Sequence, residues 1–331
     1  MYTHARAHEP ERAFNQEQAA PVARNVVLMI GDGMGAEHVW AAWLGNKGAL
    51  NITSLPVTGC SITTSASHTI TDSAAGGTAI ACACKAVNGQ LGMDAQGNHR
   101  ESLAVQMRRA GKSTGLVVTK SITDATPAAF YAHTTNRYNT EEVAAALVEA
   151  GFEVIAGGGA GDFTEEQREL LQKRSKRCKL VATKECPPVS ERGSWLPEQV
   201  AAALAVLETD SDGFFLMVEG SLIDAAAHKN DLAETVRETL DFDRAVGVVL
   251  KWMQQHPDTL LVVTADHQTG GLSLRGGNRE KGEVNGHFST FSHSGIAVPV
   301  YAAGAGAEQF CGVQQNTALA PKIRRAAAVA P

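Results

Sequence analysis

Six short apolar runs punctuate the chain, at 25–30 (NVVLMI), 114–119 (TGLVVT), 152–156, 214–218 (FFLMV), 260–264 (LLVVT) and 298–302. They are continuous rather than alternating, which is the pattern of parallel strands covered on both faces. Between them lie stretches with helical spacing at 73–86, 103–110, 141–150, 165–173, 198–208, 232–254 and 318–328. Strand and helix alternation of this kind predicts a doubly wound α/β fold, with a mostly parallel central sheet and helices on both faces. Residues 1–24 read as a polar, weakly ordered arm. Residues 25–331 read as one domain, with an irregular insertion around 157–195 that opens on Gly157, Gly158 and Gly159.

Composition narrows the classes. A chain of 331 residues that is 44% hydrophobic and 19% charged has enough apolar material for one large core. A formal net charge of -6 and a pI near 6.0 argue against a nucleic-acid binder. The one basic run, 168–179 with Lys173, Arg174, Lys176, Arg177 and Lys179, reads as a solvated surface. There is no stretch of 18 apolar residues, so no membrane span is expected. The first 25 residues lack the apolar segment of a signal peptide, which leaves a cytoplasmic protein or one whose leader has been removed. None of the six cysteines falls in a C-x-x-C pair, which disfavours a thiolate metal site. Cys82 and Cys84 read as buried free thiols. Cys178 and Cys186 flank a short loop and read either as free thiols or as a disulfide in an oxidising compartment.

The informative residues stand where the strands end. In open α/β sheets, sites form outside the carboxyl ends of the strands. Asp32 follows the first strand, Asp124 and Thr126 follow TGLVVT, Glu219 follows FFLMV, and Asp266 and His267 follow LLVVT. One such residue would read as a helix cap; four strands delivering ligands to one edge do not. In the segment VEGSLIDAAAH, Asp224 and His228 are four apart and share a helix face, so both can reach one cation. The mixture of carboxylate and imidazole suits Zn²⁺. Ser73 opens an Ala-rich helix in TDSAAGG, whose free N–H groups suit an anionic phosphate. Taken alone, Ser73 or Thr71 would be an ordinary N-cap.

Together these segments resemble the alkaline phosphatase family. The resemblance runs from about residue 25 to 328, through IGDGMG (30–35), TDSAA (71–75), DATPAAFYAHTTNR (124–137), VEGSLIDAAAH (218–228), TADHQTGG (264–271) and SHSG (292–295). It implies hydrolysis of small-molecule phosphate monoesters by a nucleophilic Ser73 that is transiently phosphorylated, with an alkaline pH optimum. It also implies two Zn²⁺ and one Mg²⁺. One zinc would be held by Asp224, His228 and His293, the other by Asp32, Asp266, His267 and the Ser73 oxygen. The magnesium would take Asp32, Asp124, Thr126 and Glu219, an oxygen-only set that suits the harder cation. His293 is preferred to His287 because SHSG is followed by an apolar run. His38, His68, His133 and His256 are expected to be structural or surface residues. Arg137 matches the family's phosphate clamp, its planar guanidinium suited to two parallel hydrogen bonds. The resemblance further implies a periplasmic or secreted location and a homodimer. No stretch corresponds to the extra surface domain that larger members place over the site, which predicts an open pocket. Gln268 stands where Glu is common in the family. A phosphodiesterase or sulfatase of the same superfamily is the competing enzyme reading, and a non-catalytic phosphate- or metal-binding protein is the competing reading of another class.

Overall fold

A computed structural model describes residues 1–3 and 7–330. Its main sheet has nine strands in the order Gly312–Gln315, Val57–Ile62, Val298–Gly304, Thr259–Thr264, Asn25–Gly31, Phe214–Gly220, Ser113–Ser121, Val154–Gly158 and Arg177–Leu180. The strands from Thr259–Thr264 to Arg177–Leu180 are all parallel. This is the doubly wound architecture expected from the apolar runs.

The period-two alternation of a strand divides each central run between two cores. Val26, Leu28 and Ile30 pack on one face of the sheet, and Val27 and Met29 on the other. Likewise Phe215 and Met217 face one core while Phe214, Leu216 and Val218 face its opposite. Helices Ser73–Cys82, Leu103–Arg109, Thr140–Ala150 and Leu319–Ala326 cover the first core. Helices Ala36–Gly45, Trp195–Leu207 and Leu232–Met253 cover the second. Both faces being covered is why the runs are continuous: neither set of alternate residues meets water.

The structure corrects the expected direction of the last apolar run. Val298–Gly304 lies antiparallel to both of its neighbours, Val57–Ile62 and Thr259–Thr264. An apolar run reports burial on both faces, and a buried strand buries the same residues whichever way it runs. The helix that begins at Ser73 also stops early, at Cys82, where Ala83 adopts φ 58° and ends it.

The remaining segments are tied to this frame. Tyr2 and Phe14 are buried in the second core. The Gln16 side chain donates to the Gly304 carbonyl (2.7 Å) and accepts from its N–H (2.9 Å). Between Gly158 and Trp195 lie helices Glu165–Arg174 and Val189–Arg192 and the edge strand Arg177–Leu180. Cys178 and Cys186 are free thiols. Among the described residues, no helix is long and apolar enough to cross a membrane.

Candidate active site

Parallel register sets the level of the site. Ile30 pairs with Glu219 on one side and with Thr264 on the other, and Val118 pairs with Glu219. Asp32 and Asp266 therefore stand at the same height, each two residues past a paired position, with Glu219 just below them. At the same edge Gly33 turns the chain with φ 67°. A side chain there would collide with Thr269 Oγ1 at 2.6 Å and press Asp224 Oδ1 at 3.1 Å, so only glycine lets the loop approach the carboxylates. The Ser73 helix comes close for a similar reason. A Cβ on Gly76 would meet the Asp266 carbonyl at 3.0 Å, and one on Gly77 would meet Thr126 Cα at 3.2 Å.

Ser73 is the first residue of its helix and is buried. Asp72 caps that helix by accepting from Ala75 N–H at 3.0 Å. Ser73 Oγ lies 3.2 Å from His267 Nε2. The same nitrogen lies 3.4 Å from Asp32 Oδ1 and 3.2 Å from Asp266 Oδ2. Thr269 assigns the tautomer of this ring. Its hydroxyl donates to Asp224 Oδ1 (2.6 Å), so it can only accept from His267 Nδ1 (3.2 Å), and Nε2 is left unprotonated toward Ser73. Asp266 Oδ1 accepts from the backbone N–H groups of Gly33 (3.1 Å) and His267 (3.0 Å).

A second group is contiguous with the first. His228 Nδ1 donates to the Phe291 carbonyl (2.6 Å), and His293 Nδ1 donates to the Thr71 carbonyl (2.9 Å). Both Nε2 lone pairs therefore face inward, 3.2 Å from one another. Asp224 Oδ1 is 3.2 Å from His228 Nε2 and 3.7 Å from His293 Nε2. His293 reaches this point because the short strand His293–Ser294 pairs with Gln268–Thr269, and its ring stacks on His267 with centroids 3.6 Å apart.

Asp124 caps the helix Ala125–Ala128 and accepts from Arg137 Nη2 at 3.1 Å. The other end of the guanidinium, Nη1, donates to Asp72 Oδ2 at 3.3 Å. Arg137 is thus held between the cap of the Ser73 helix and the cap of helix Ala125–Ala128. A cavity of about 220 Å³ opens beside it, lined by Lys120, Asp124, Arg137, Tyr138, Asp162 and Lys184 among others. Thr126 is buried against the Ser73 helix. All eleven residues singled out in the sequence thus gather at one end of the sheet.

The electrostatics favour a positively charged partner for the cluster. Burial and the neighbouring Asp266, Asp224 and Glu219 push the Asp32 carboxyl well above its usual range. Burial, with the Asp124 charge, pushes Glu219 up to about 8. Burial pushes Asp266 up to about 6, against the hydrogen bond from Gly33. Burial also holds the His267 imidazole well below its usual value, favouring the neutral ring. Burial would raise Asp224, but once His228 Nε2 takes up a proton it donates to this carboxylate, and that bond and the Lys120 ammonium keep Asp224 low. The same bond raises His228. Asp32 Oδ1, Asp266 Oδ2 and both Glu219 oxygens are buried without a hydrogen-bond partner. An ionised carboxylate left so costs several kcal/mol unless a cation meets it. Two donor groups have the spacing of a metal site: Asp224, His228 and His293, and Asp32, Asp224 and His267, with atoms within 4.8 Å of one another in each. Converging imidazole lone pairs and orphaned carboxylate oxygens fit divalent cations.

Three participants escaped the sequence reading. Thr269 ties the two donor groups together, and Asp72 orients Arg137. Lys120 places its ammonium 3.6 Å from Asp124 Oδ2 and 3.7 Å from Asp224 Oδ2. Each had a signal: Thr269 lies inside TADHQTGG, Asp72 precedes Ser73, and Lys120 directly follows the apolar run 114–119 at the edge where the carboxylates stand.

A doubly wound sheet carrying a buried serine among clustered carboxylates and imidazoles defines a metal-binding hydrolase of the phosphatase class. The family model for alkaline phosphatase matches residues 23–179 and 183–285, and the chain belongs to the alkaline phosphatase family. "Alkaline phosphatase 4" of Bacillus subtilis (strain 168) is 33% identical over 318 residues, covering 85% of this chain and 69% of that protein. "Streptomycin-6-phosphate phosphatase" of Streptomyces griseus is 30% identical over 412 residues, covering 94% of this chain and 92% of that one. "Repressible alkaline phosphatase" of Saccharomyces cerevisiae is 32% identical over 78% of this chain, which spans 57% of its length. Among solved structures, the alkaline phosphatase from the Antarctic bacterium TAB5 superposes with a TM-score of 0.88 at 31% identity, covering 94% of this chain and all of that one.

Proposed function

We propose that this chain hydrolyses phosphate monoesters to an alcohol and inorganic phosphate through a phosphoserine on Ser73. The observation that carries the reading is the contact of Ser73 Oγ with an unprotonated His267 Nε2 that also faces Asp32 and Asp266. Asp224, His228 and His293 would hold one zinc; Asp32, Asp266, His267 and Ser73 would hold the second; Asp32, Asp124, Thr126 and Glu219 would hold a magnesium. A variant of the TAB5 enzyme has Mg bound in its M3 site, which supports a third position of this kind. When bound, these ions would polarise the phosphoryl oxygens, lower the pKa of the serine hydroxyl and stabilise the departing oxygen.

The chain's own groups do the rest. Ser73 Oγ, its proton lost to solvent, forms the bond to phosphorus while the ester oxygen leaves with the electron pair of the broken P–O bond and takes a proton from water to become the alcohol. The N–H groups at the start of helix Ser73–Cys82 and the Arg137 guanidinium offer donors to the phosphoryl oxygens, where charge concentrates in this chemistry. Asp72 and Asp124 fix the plane of Arg137, so little orientation is lost when the phosphate arrives. Thr269 keeps the His267 lone pair directed at the serine side. Water then cleaves the phosphoserine from the side the alcohol vacated, and inorganic phosphate departs. Neutral imidazoles and a deprotonated serine both place the working range on the alkaline side. A periplasmic or secreted homodimer accompanies this reading, to be checked by fractionation and light scattering.

Turnover of an aryl phosphate, a phosphate diester and a sulfate ester by the zinc-loaded protein, before and after chelation, tests the assignment. The monoester should be hydrolysed fastest, and chelation should abolish the activity. Preference for the diester or the sulfate would move the chain to another branch of the superfamily. Activity that survives complete metal removal would overturn the reading.

A further inference from the structure

The least expected occupant of the site is Lys120. It is the penultimate residue of strand Ser113–Ser121, two positions past Val118, which pairs with Glu219. Its ammonium lies almost midway between Asp124 and Asp224, at 3.6 and 3.7 Å, close enough for charge attraction but tightly hydrogen-bonded to neither. The fields of Asp32 and Glu219 reach it as well. It therefore sits as an ion would in an acidic cage, and the two oxygens of Glu219, whose field reaches it, have no hydrogen-bond partner.

We propose that Lys120 is a built-in competitor of the third divalent cation, its ammonium supplying part of the charge that Mg²⁺ would bring to Asp124 and Glu219. The inference rests on the reading of this cluster as a phosphatase metal centre. An ammonium and a divalent ion within a few ångströms of each other repel strongly in a buried site. One must yield when the other binds. The lysine can yield, because its four-carbon stem is flexible and its side chain is 18% exposed, leaving a route into the cavity beside Arg137. Each Mg²⁺ that enters must therefore first break the bridge between Asp124 and Asp224. The consequence is a phosphatase whose third position binds Mg²⁺ weakly and whose two imidazole-containing positions are unaffected.

Zinc-loaded wild type, Lys120→Met and Lys120→Arg can be titrated with Mg²⁺ by calorimetry, with metal content read by mass spectrometry after dialysis. Lys120→Met should bind Mg²⁺ about tenfold or more tightly than wild type, since one opposing unit charge is gone. Its zinc content should be unchanged, and Lys120→Arg should resemble wild type. Equal or weaker Mg²⁺ binding by Lys120→Met with zinc retained would overturn the inference alone. Failure of every variant to take up zinc would overturn the phosphatase reading together with it. If Lys120→Met does not fold, acylation of lysines in the wild-type protein decides: saturating Mg²⁺ should raise the labelling of Lys120 severalfold, and an unchanged rate would refute the competition.

Discussion

The two halves of the donor cluster differ in their access to water. Asp32, Ser73, Asp266 and His267 are all buried, none more than 5% exposed. In the other half Asp224 is buried, but the His228 side chain is 37% exposed. The closed half holds the hydroxyl in a dry setting, where an electrostatic interaction is worth more than in water. The open half faces solvent, from which, on the proposed function, an ester would arrive and into which an alcohol would leave. Thr269 and the stacked rings of His267 and His293 join the halves, so that one can sense the other. On the proposed mechanism the closed half would hold the nucleophile and the open half the entrance, a division of labour that two equivalent sites would not provide.

The largest way to break this comparison is Ser73→Ala. Turnover should fall about 10³-fold or more with the zinc content intact, as expected when a nucleophile is removed but the binding machinery remains. Near-normal turnover in that variant would mean that the closed half holds no nucleophile. Thr269→Val acts on the joint between the halves. Loss of a hydroxyl that orients both Asp224 and His267 should weaken zinc binding about 10- to 100-fold at both positions, as measured by competition with a chromogenic chelator. A loss confined to one zinc would show that the halves are independent.

Acid should separate the halves in a predictable order. The Asp224 hydrogen bond raises His228, so protons compete early for its Nε2, whereas burial holds His267 well below its usual value. On lowering the pH, one zinc should leave the open half before the other leaves the closed half, giving two steps of release. Release in one step, or with the closed half first, would contradict the assignment. The smallest effect concerns the metal-free protein. Glu219 is raised from its ordinary 4.5 to about 8, so its contribution to stability is complete below about 4.5 and is lost as the pH rises toward about 8. The Tm of the stripped protein should therefore decline across that window, and bound metal should stabilise it increasingly as the pH rises. A Tm that climbs through the window without metal would show that Glu219 is not held protonated.

Much of this site could be read from the chain because a parallel sheet puts its ligands directly after apolar runs. Asp32, Glu219, Asp266 and His267 stood out for that reason, and Asp224 and His228 for their spacing on one helix turn. What could not be read depends on direction in space. The antiparallel course of Val298–Gly304 leaves no mark on a run buried on both faces. The strands Leu272–Asn278 and Glu283–Phe288 escaped because glycines and charges interrupt any apolar alternation. Lys120 escaped because a long flexible side chain at a strand end reads as solvated until the fold shows which carboxylates it meets. Arg137 was singled out, but the carboxylates that orient it, one of them the cap of the Ser73 helix, lie 65 and 13 residues away along the chain.

Rapid acid quench of the zinc-loaded protein during turnover of a phosphate monoester, followed by peptide mass spectrometry, addresses the central claim most directly. The account predicts one added phosphoryl group, located on Ser73 and absent from the Ser73→Ala protein. An enzyme that turns over with no trapped adduct, or with the phosphoryl group on another residue, would contradict it.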